Sequence, residues 1–200
     1  MDEQRRALLQ AAAASGLLGS VSAEAGAATD SNAPLLDAIP PLPQRPSPGR
    51  PGDFDFLAGQ WRIQNWRLPP GATQWDRFEG EARCWTILDG AGSVEELRIP
   101  ARQFSGMGLR LLERETERWG DFWVSGRSGV LTTPGLQGSF EQGVGLFWAE
   151  DGDANVAGQR EIALGVWDRI DARSCRWRQA VSSDGGRSWA QNWVMHWQRV

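Results

Sequence analysis

The stretch Phe54-Asp55-Phe56-Leu57-Ala58-Gly59-Gln60-Trp61 decides the fold. It lies where a proline-rich leader ends and a tryptophan-rich body begins. Apolar residues and a glycine lead into a tryptophan that opens an alternating run, which is typical of a strand. Glycine lets the chain bend because it has no Cβ, and tryptophan is bulky enough to plug a narrow end. The stretch therefore predicts a small antiparallel barrel, a container for something small.

The body from Asp53 onward has the pattern of strands rather than helices. Short alternating runs recur between clusters of Gly, Asp, Ser and Pro, and no long segment has helical period. The predicted strands are Trp61–Arg67, Phe78–Leu88, Ser93–Ile99, Met107–Glu113, Trp119–Ser125, Leu136–Phe140, Gly145–Ala149, Gln159–Trp167, Cys175–Ser182 and Trp189–Arg199. Closing such a meander removes its exposed edges. We therefore expect an all-β fold, a single antiparallel up-and-down barrel of about ten strands.

The leader has the features of an export signal. Arg5-Arg6 precedes a mild apolar run to about Val21, and Ala25-Gly26-Ala27 offers a small-x-small cleavage pattern. Residues 1–27 are thus predicted to be a twin-arginine-like signal, and the protein to be periplasmic or secreted without stable membrane insertion. Residues 28–52 carry seven of the eleven prolines and predict a disordered tether, followed by the barrel domain over 53–200.

Composition narrows the classes of function. A net charge of -4 argues against a nucleic-acid binder, which normally shows a basic face. Twelve Trp supply large apolar area for a core, a pocket or both. One His, two Cys, no Tyr and basic residues that are all Arg nearly exclude a multi-ligand zinc site. The pattern identifies no catalytic residue and no metal ligand, and it leaves the cofactor and the oligomeric state open.

Acidic residues on the predicted strands raise the possibility of chemistry inside the barrel. Neighbours in a strand face opposite ways, so one of Glu95 and Glu96 is expected to point inward. An inward carboxylate needs a partner, and the candidates are Arg83, Arg98 and Arg110. Asp121 is a candidate second acid by its position in a strand. An enzyme that uses an inward carboxylate is therefore one alternative.

The remaining polar signals each have two interpretations. His196 is either a polar residue of the wall or the axial ligand of a haem, as a late-strand His is in nitrobindins. Cys84 and Cys175 either form a disulfide or are two small buried side chains. Ser182–Trp189 matches the Asp-box pattern S-x-D-x-G-x-[ST]-W, and because it occurs once we interpret it as a hairpin cap.

Gly59-Gln60-Trp61 resembles the G-x-W that opens lipocalin-type barrels. Such barrels often lay an arginine from a late strand over this tryptophan, and Arg199 and Arg178 are the candidates here. A cation–π contact of this kind contributes about 0.5–2 kcal/mol. Both features are structural and mark no active site.

Over residues 53–200 the chain resembles an uncharacterised bacterial family of secreted, lipocalin-like barrels. The resemblance is carried by Asp53–Trp61, Gly90–Glu96, Leu109–Leu112 with Thr116 and Trp119, Trp177–Ala180, Ser183–Gly186 and Asn192–Met195. It implies a calycin-like antiparallel barrel and no established activity, so no catalytic residue is carried over.

These observations favour an exported barrel that binds a small apolar or aromatic molecule. The residues expected to line its site are Trp61, Glu95, Trp123, Trp148, Trp177, Gln179, Asn192 and His196. Besides the enzyme and the haem protein, a structural module whose tryptophans fill the barrel completely is a further alternative.

Overall fold

A computed structural model describes residues 33–151 and 160–200. In these residues ten strands form a closed antiparallel barrel in which each strand pairs with the next and the last pairs with the first. The strands are β1 (Gly59–Arg67), β2 (Asp76–Ile87), β3 (Gly92–Ile99), β4 (Phe104–Glu113), β5 (Arg118–Ser125), β6 (Leu136–Glu141), β7 (Val144–Asp151), β8 (Glu161–Asp168), β9 (Ser174–Ser182) and β10 (Ala190–Arg199). The predicted up-and-down barrel is confirmed, and every predicted strand is present.

Alternation along each strand sets which side chains face the interior. In β1 the buried residues recur at every second position, from Trp61 through Ile63 and Asn65 to Arg67. The same period places Glu95 of β3 inside and Arg98 outside, where Arg98 pairs with Glu96 at 2.7 Å.

The stretch before β1 closes one end of the barrel, which we call the floor. A single 3-10 turn, Asp55–Leu57, lies there, and its Leu57 carbonyl accepts a 2.7 Å hydrogen bond from Trp61 Nε1. Arg199 Cζ lies 4.3 Å from the centre of the Trp61 ring. Arg199 also donates to the carbonyl oxygen of Phe56 at 2.7 Å. The tryptophan plug and its arginine are confirmed, with Arg199 in the role.

Aromatic rings fill the space above this plug. Trp119, Trp167 and Trp197 are buried to within 1% of full burial, and Phe147 is buried completely. Phe54 meets Trp119 edge to face, with 4.9 Å between ring centres. Such ring pairs stabilise the fold by more than the burial of their apolar area alone. The floor is therefore a packed core.

Residues 33–52, which we call the strap, contact the outer wall through Asp37 and the turns at the floor end through Gly49 and Gly52. Asp37 pairs with Arg176 of β9 at 2.6 Å, and its carbonyl oxygen accepts from Arg178 Nη1 at 2.9 Å. Asp168 of β8 pairs with the same two arginines, at 2.7 and 2.6 Å. Arg176 therefore binds the carboxylate of Asp37 and Arg178 binds its backbone carbonyl, so two buried arginines hold one residue of the strap.

The two cysteines and the Asp-box have structural roles. Cys84 and Cys175 are free, buried thiols, and burial raises the pKa of both, which makes them poor nucleophiles. In the β9–β10 hairpin, Asp184 accepts from the backbone N–H of Ser188 at 2.9 Å and from its hydroxyl at 2.7 Å. These bonds lower the pKa of Asp184. The predicted hairpin cap is confirmed.

Arg199→Ala removes the cation–π contact and the bonds to floor carbonyls. We expect a loss of about 2 kcal/mol in the free energy of unfolding, measured by urea denaturation. Arg62→Ala is the control, because Arg62 points outward from β1 and is exposed; its loss should stay below about 0.5 kcal/mol. Equal losses in the two variants would contradict the role of Arg199 as a clamp on the floor.

Candidate functional site

The half of the barrel opposite the floor encloses a cavity of about 530 Å³. This lies within the range of roughly 300–1,000 Å³ typical of small-molecule sites. Its aromatic lining includes Phe78, Phe104, Trp123, Trp167, Trp177 and Trp193. The alternative of a completely filled barrel is therefore wrong: tryptophan fills the floor and lines the remainder.

Four of the predicted site residues line this cavity together: Glu95, Trp123, Trp177 and Gln179. They come from three strands, β3, β5 and β9, and each lies on the inward side of its strand. Asn192 lies beside them, where its side-chain oxygen accepts from Gln179 Nε2 at 3.1 Å. Asn192 falls where the pairing of β10 with β9 shifts register, so it orients Gln179 from beside the lining.

The structure places Trp61 and Trp148 elsewhere. Trp61 belongs to the buried floor cluster. Trp148 of β7 lies between Phe147, which is buried in the core, and Ala149, which lines the cavity. Because adjacent residues alternate across a strand, the Trp148 side chain faces outward.

His196 faces away from the cavity. Its neighbours in β10, Met195 and Trp197, both line the cavity, so alternation sends the imidazole to the outer wall. There its ring lies 4.8 Å from Trp66, centre to centre. Burial, together with the charge of Arg176, lowers the pKa of His196. This histidine cannot serve as the ligand of a haem inside the barrel.

A buried cluster of three charged side chains lies in the cavity wall. Arg110 Nη2 donates to Glu95 Oε2 at 2.6 Å, and Arg110 Nε donates to Asp121 Oδ1 at 3.1 Å. The three residues come from the consecutive strands β3, β4 and β5. Gly108, opposite Glu95, makes room for this arrangement, because a Cβ there would lie 2.9 Å from Arg110 Nη2. Arg110 is thus the partner of Glu95 that the sequence left open among three arginines.

The cluster has more negative than positive charge. Burial raises the pKa of Asp121, Arg110 lowers it by less, and Glu95 raises it further. Burial disfavours the charged form of Arg110, but Glu95 and Asp121 outweigh that effect and raise its pKa. One guanidinium therefore stays charged between two carboxylates, and burial favours the protonated form of Asp121.

Each carboxylate keeps one oxygen available. Within residues 33–151 and 160–200, Glu95 Oε2 and Asp121 Oδ1 are the side-chain oxygens that bind Arg110. Both residues line the cavity, so Glu95 Oε1 and Asp121 Oδ2 remain for a molecule inside it. Such an arrangement can accept hydrogen bonds, attract a cation or carry a proton.

Sequence reasoning missed the arginines near the mouth of the cavity. Arg102 pairs with Asp76 at 2.6 Å and lies 3.5 Å from the centre of the Phe78 ring. Arg67 is buried, lies 4.9 Å from the Trp193 ring, and has a pKa lowered by burial. The signal was present for Arg67, which continues the inward period of Trp61, Ile63 and Asn65.

The described helices are single 3-10 turns, and none has the length or apolar character that a membrane span requires. Among the described residues, no group of three or more His, Cys, Asp or Glu side chains is placed to hold a metal ion.

No family model matches this chain, and no curated protein matches it. Among solved structures, it is similar to the crystal structure of a protein of unknown function from the DUF3598 family of Nostoc punctiforme, with 13% identity and a TM-score of 0.46. The likeness covers 80% of this chain and 54% of that protein, so the chain spans about half the length of this neighbour.

Asp121→Asn tests the charge imbalance. The raised pKa of Asp121 means that folding favours its protonated form. The contribution of this group to stability is therefore complete below the unfolded pKa of about 3.9 and is lost as pH rises through the folded pKa. Asn mimics the protonated form. We expect the variant to be more stable than the wild type at pH 7 and no more stable at pH 3. Urea denaturation at both pH values measures this, and a variant that is less stable at pH 7 would contradict it.

Proposed function

We propose that this protein binds a small, mostly apolar or aromatic molecule inside its barrel. The observation that carries the proposal is the aromatic-lined cavity of about 530 Å³ above a packed floor. Burial of an apolar ligand between indole rings provides affinity in proportion to the area removed from water. A few polar groups in the wall then orient the ligand.

The walls support stacking of a flat molecule. Trp177 and Trp193 meet edge to face on neighbouring strands, with 5.9 Å between ring centres. Trp193 Nε1 donates to Asn65 Oδ1 at 3.1 Å, which fixes the ring. Rings held by such contacts are pre-organised, so little side-chain entropy is lost when a ligand binds.

We also propose that the protein acts outside the cytoplasm as a lipocalin-like carrier. The support is the twin-arginine-like leader and the G-x-W opening at Gly59–Trp61. The leader, residues 1–27, lies outside the described residues.

Ala163→Trp tests binding in the cavity. Ala163 lines the cavity, so an indole there occupies the space that a ligand needs. With 4-phenylbenzyl alcohol as the probe, titration should quench the tryptophan fluorescence of the wild type and give a saturable curve. We expect at least tenfold weaker binding by the variant.

Ala172→Trp is the matched control, because Ala172 is exposed in the turn between β8 and β9 at the floor end. It should bind the probe as the wild type does. Circular dichroism checks that both variants keep the fold. Equal binding by all three proteins would place the probe outside the barrel and contradict the proposal.

An enzyme that uses an inward carboxylate is the second candidate. It is favoured by Asp121, a buried acid in the cavity wall whose pKa is raised and whose second oxygen is available. An acid of this kind can pass a proton to or from a bound molecule. Carbon-13 NMR titration of the Asp121 carboxyl tests the premise: we expect a pKa above the ordinary value of about 3.9, whereas a lower one would remove the candidate.

A further inference from the structure

We propose that the ligand of this barrel is an organic amine, with its protonated nitrogen held between Glu95 and Asp121 and its apolar body among the tryptophans. The inference rests on the proposed function and adds the chemical class of the ligand. It follows from the charge, the available oxygens and the rings of the cavity wall.

The ionised cluster has an excess of negative charge. Glu95 and Arg110 are buried to within 4% of full burial, and Asp121 is the third member. Two carboxylates share one guanidinium, so the ionised cluster carries one negative charge that no described cation in contact with it neutralises. Charge buried without a partner is costly. An ammonium group supplies the missing positive charge and N–H donors for the available carboxylate oxygens.

The aromatic surroundings suit the same group. The guanidinium of Arg110 already lies 5.4 Å from the Trp167 ring and 5.7 Å from the Phe54 ring. The negative faces of such rings stabilise a cation, and this effect strengthens where water is excluded. Carboxylate and indole together therefore favour a cationic nitrogen over a neutral group of the same shape.

The residues at the mouth of the cavity have an excess of positive charge. The charged residues that line the cavity besides the cluster are Arg67, Asp76, Arg102, Arg127 and Glu150. Arg102 and Asp76 pair at 2.6 Å, so their charges largely cancel. The mouth arginines would attract an anionic ligand, but Glu95 and Asp121 would repel it from the deeper part of the cavity, so a cationic ligand is favoured there.

Three probes of one shape separate these classes: 4-phenylbenzylamine, 4-phenylbenzyl alcohol and 4-phenylbenzoate. We expect calorimetry on the full chain at pH 7 to give at least tenfold tighter binding for the amine than for the alcohol, and the weakest binding for the benzoate. As pH falls from 7 toward 4, Asp121 takes up a proton while the amine stays charged, so the preference for the amine should shrink.

Asp121→Asn assigns the preference to the cluster. It replaces a carboxylate by a group of the same shape, and we expect it to reduce amine affinity about tenfold and leave alcohol affinity within twofold. Glu150→Gln is the matched control, because it removes an acid from the mouth and should change amine affinity less than twofold.

The outcomes separate the amine assignment from the proposed ligand binding. If the alcohol or the benzoate binds as tightly as the amine, or if Asp121→Asn keeps the preference, the amine assignment is overturned while ligand binding stands. If none of the three probes binds, both the assignment and the proposed function fail.

Discussion

The packing of indole rings at one end of the barrel is the constraint on which the rest of the structure depends. Trp61 closes that end, Arg199 lies over it, and Trp167 and Trp197 fill the space above. Because side chains must fill a core at crystal-like density, this end leaves no room for a ligand. The floor supplies the hydrophobic core, so the wall at the opposite end can enclose a cavity without a second core.

The alternation of side chains along each strand also determines which groups line the cavity. Glu95, Arg110 and Asp121 are inward positions of three consecutive strands, and strand pairing brings them into contact without any special loop. A single arginine between two acids leaves the site dependent on a proton or a cation for neutrality. The protonation state of Asp121 therefore couples the stability of the fold to pH and to a cation in the cavity.

Sequence could predict the barrel because hydrophobic period and turn clusters are local signals, and both were strong here. It could not predict which face of a strand is inside where both faces are apolar. Val194 and His196 alternate with Met195 and Trp197, and the outward Val194 is fully buried. The strap explains this, since Asp37 and its arginines hold a further layer on that wall. A contact between residues so distant in sequence leaves no periodic signal, so the outward position of His196 was not predictable.

A high-resolution crystal structure of the protein is the most direct test of a filled floor beneath an open, charged cavity. We expect density for ordered water or a co-purified molecule in contact with Glu95 Oε1 and Asp121 Oδ2, and none between Trp61, Trp167 and Trp197. Side chains packed through both halves, with no space beside Glu95, would contradict it.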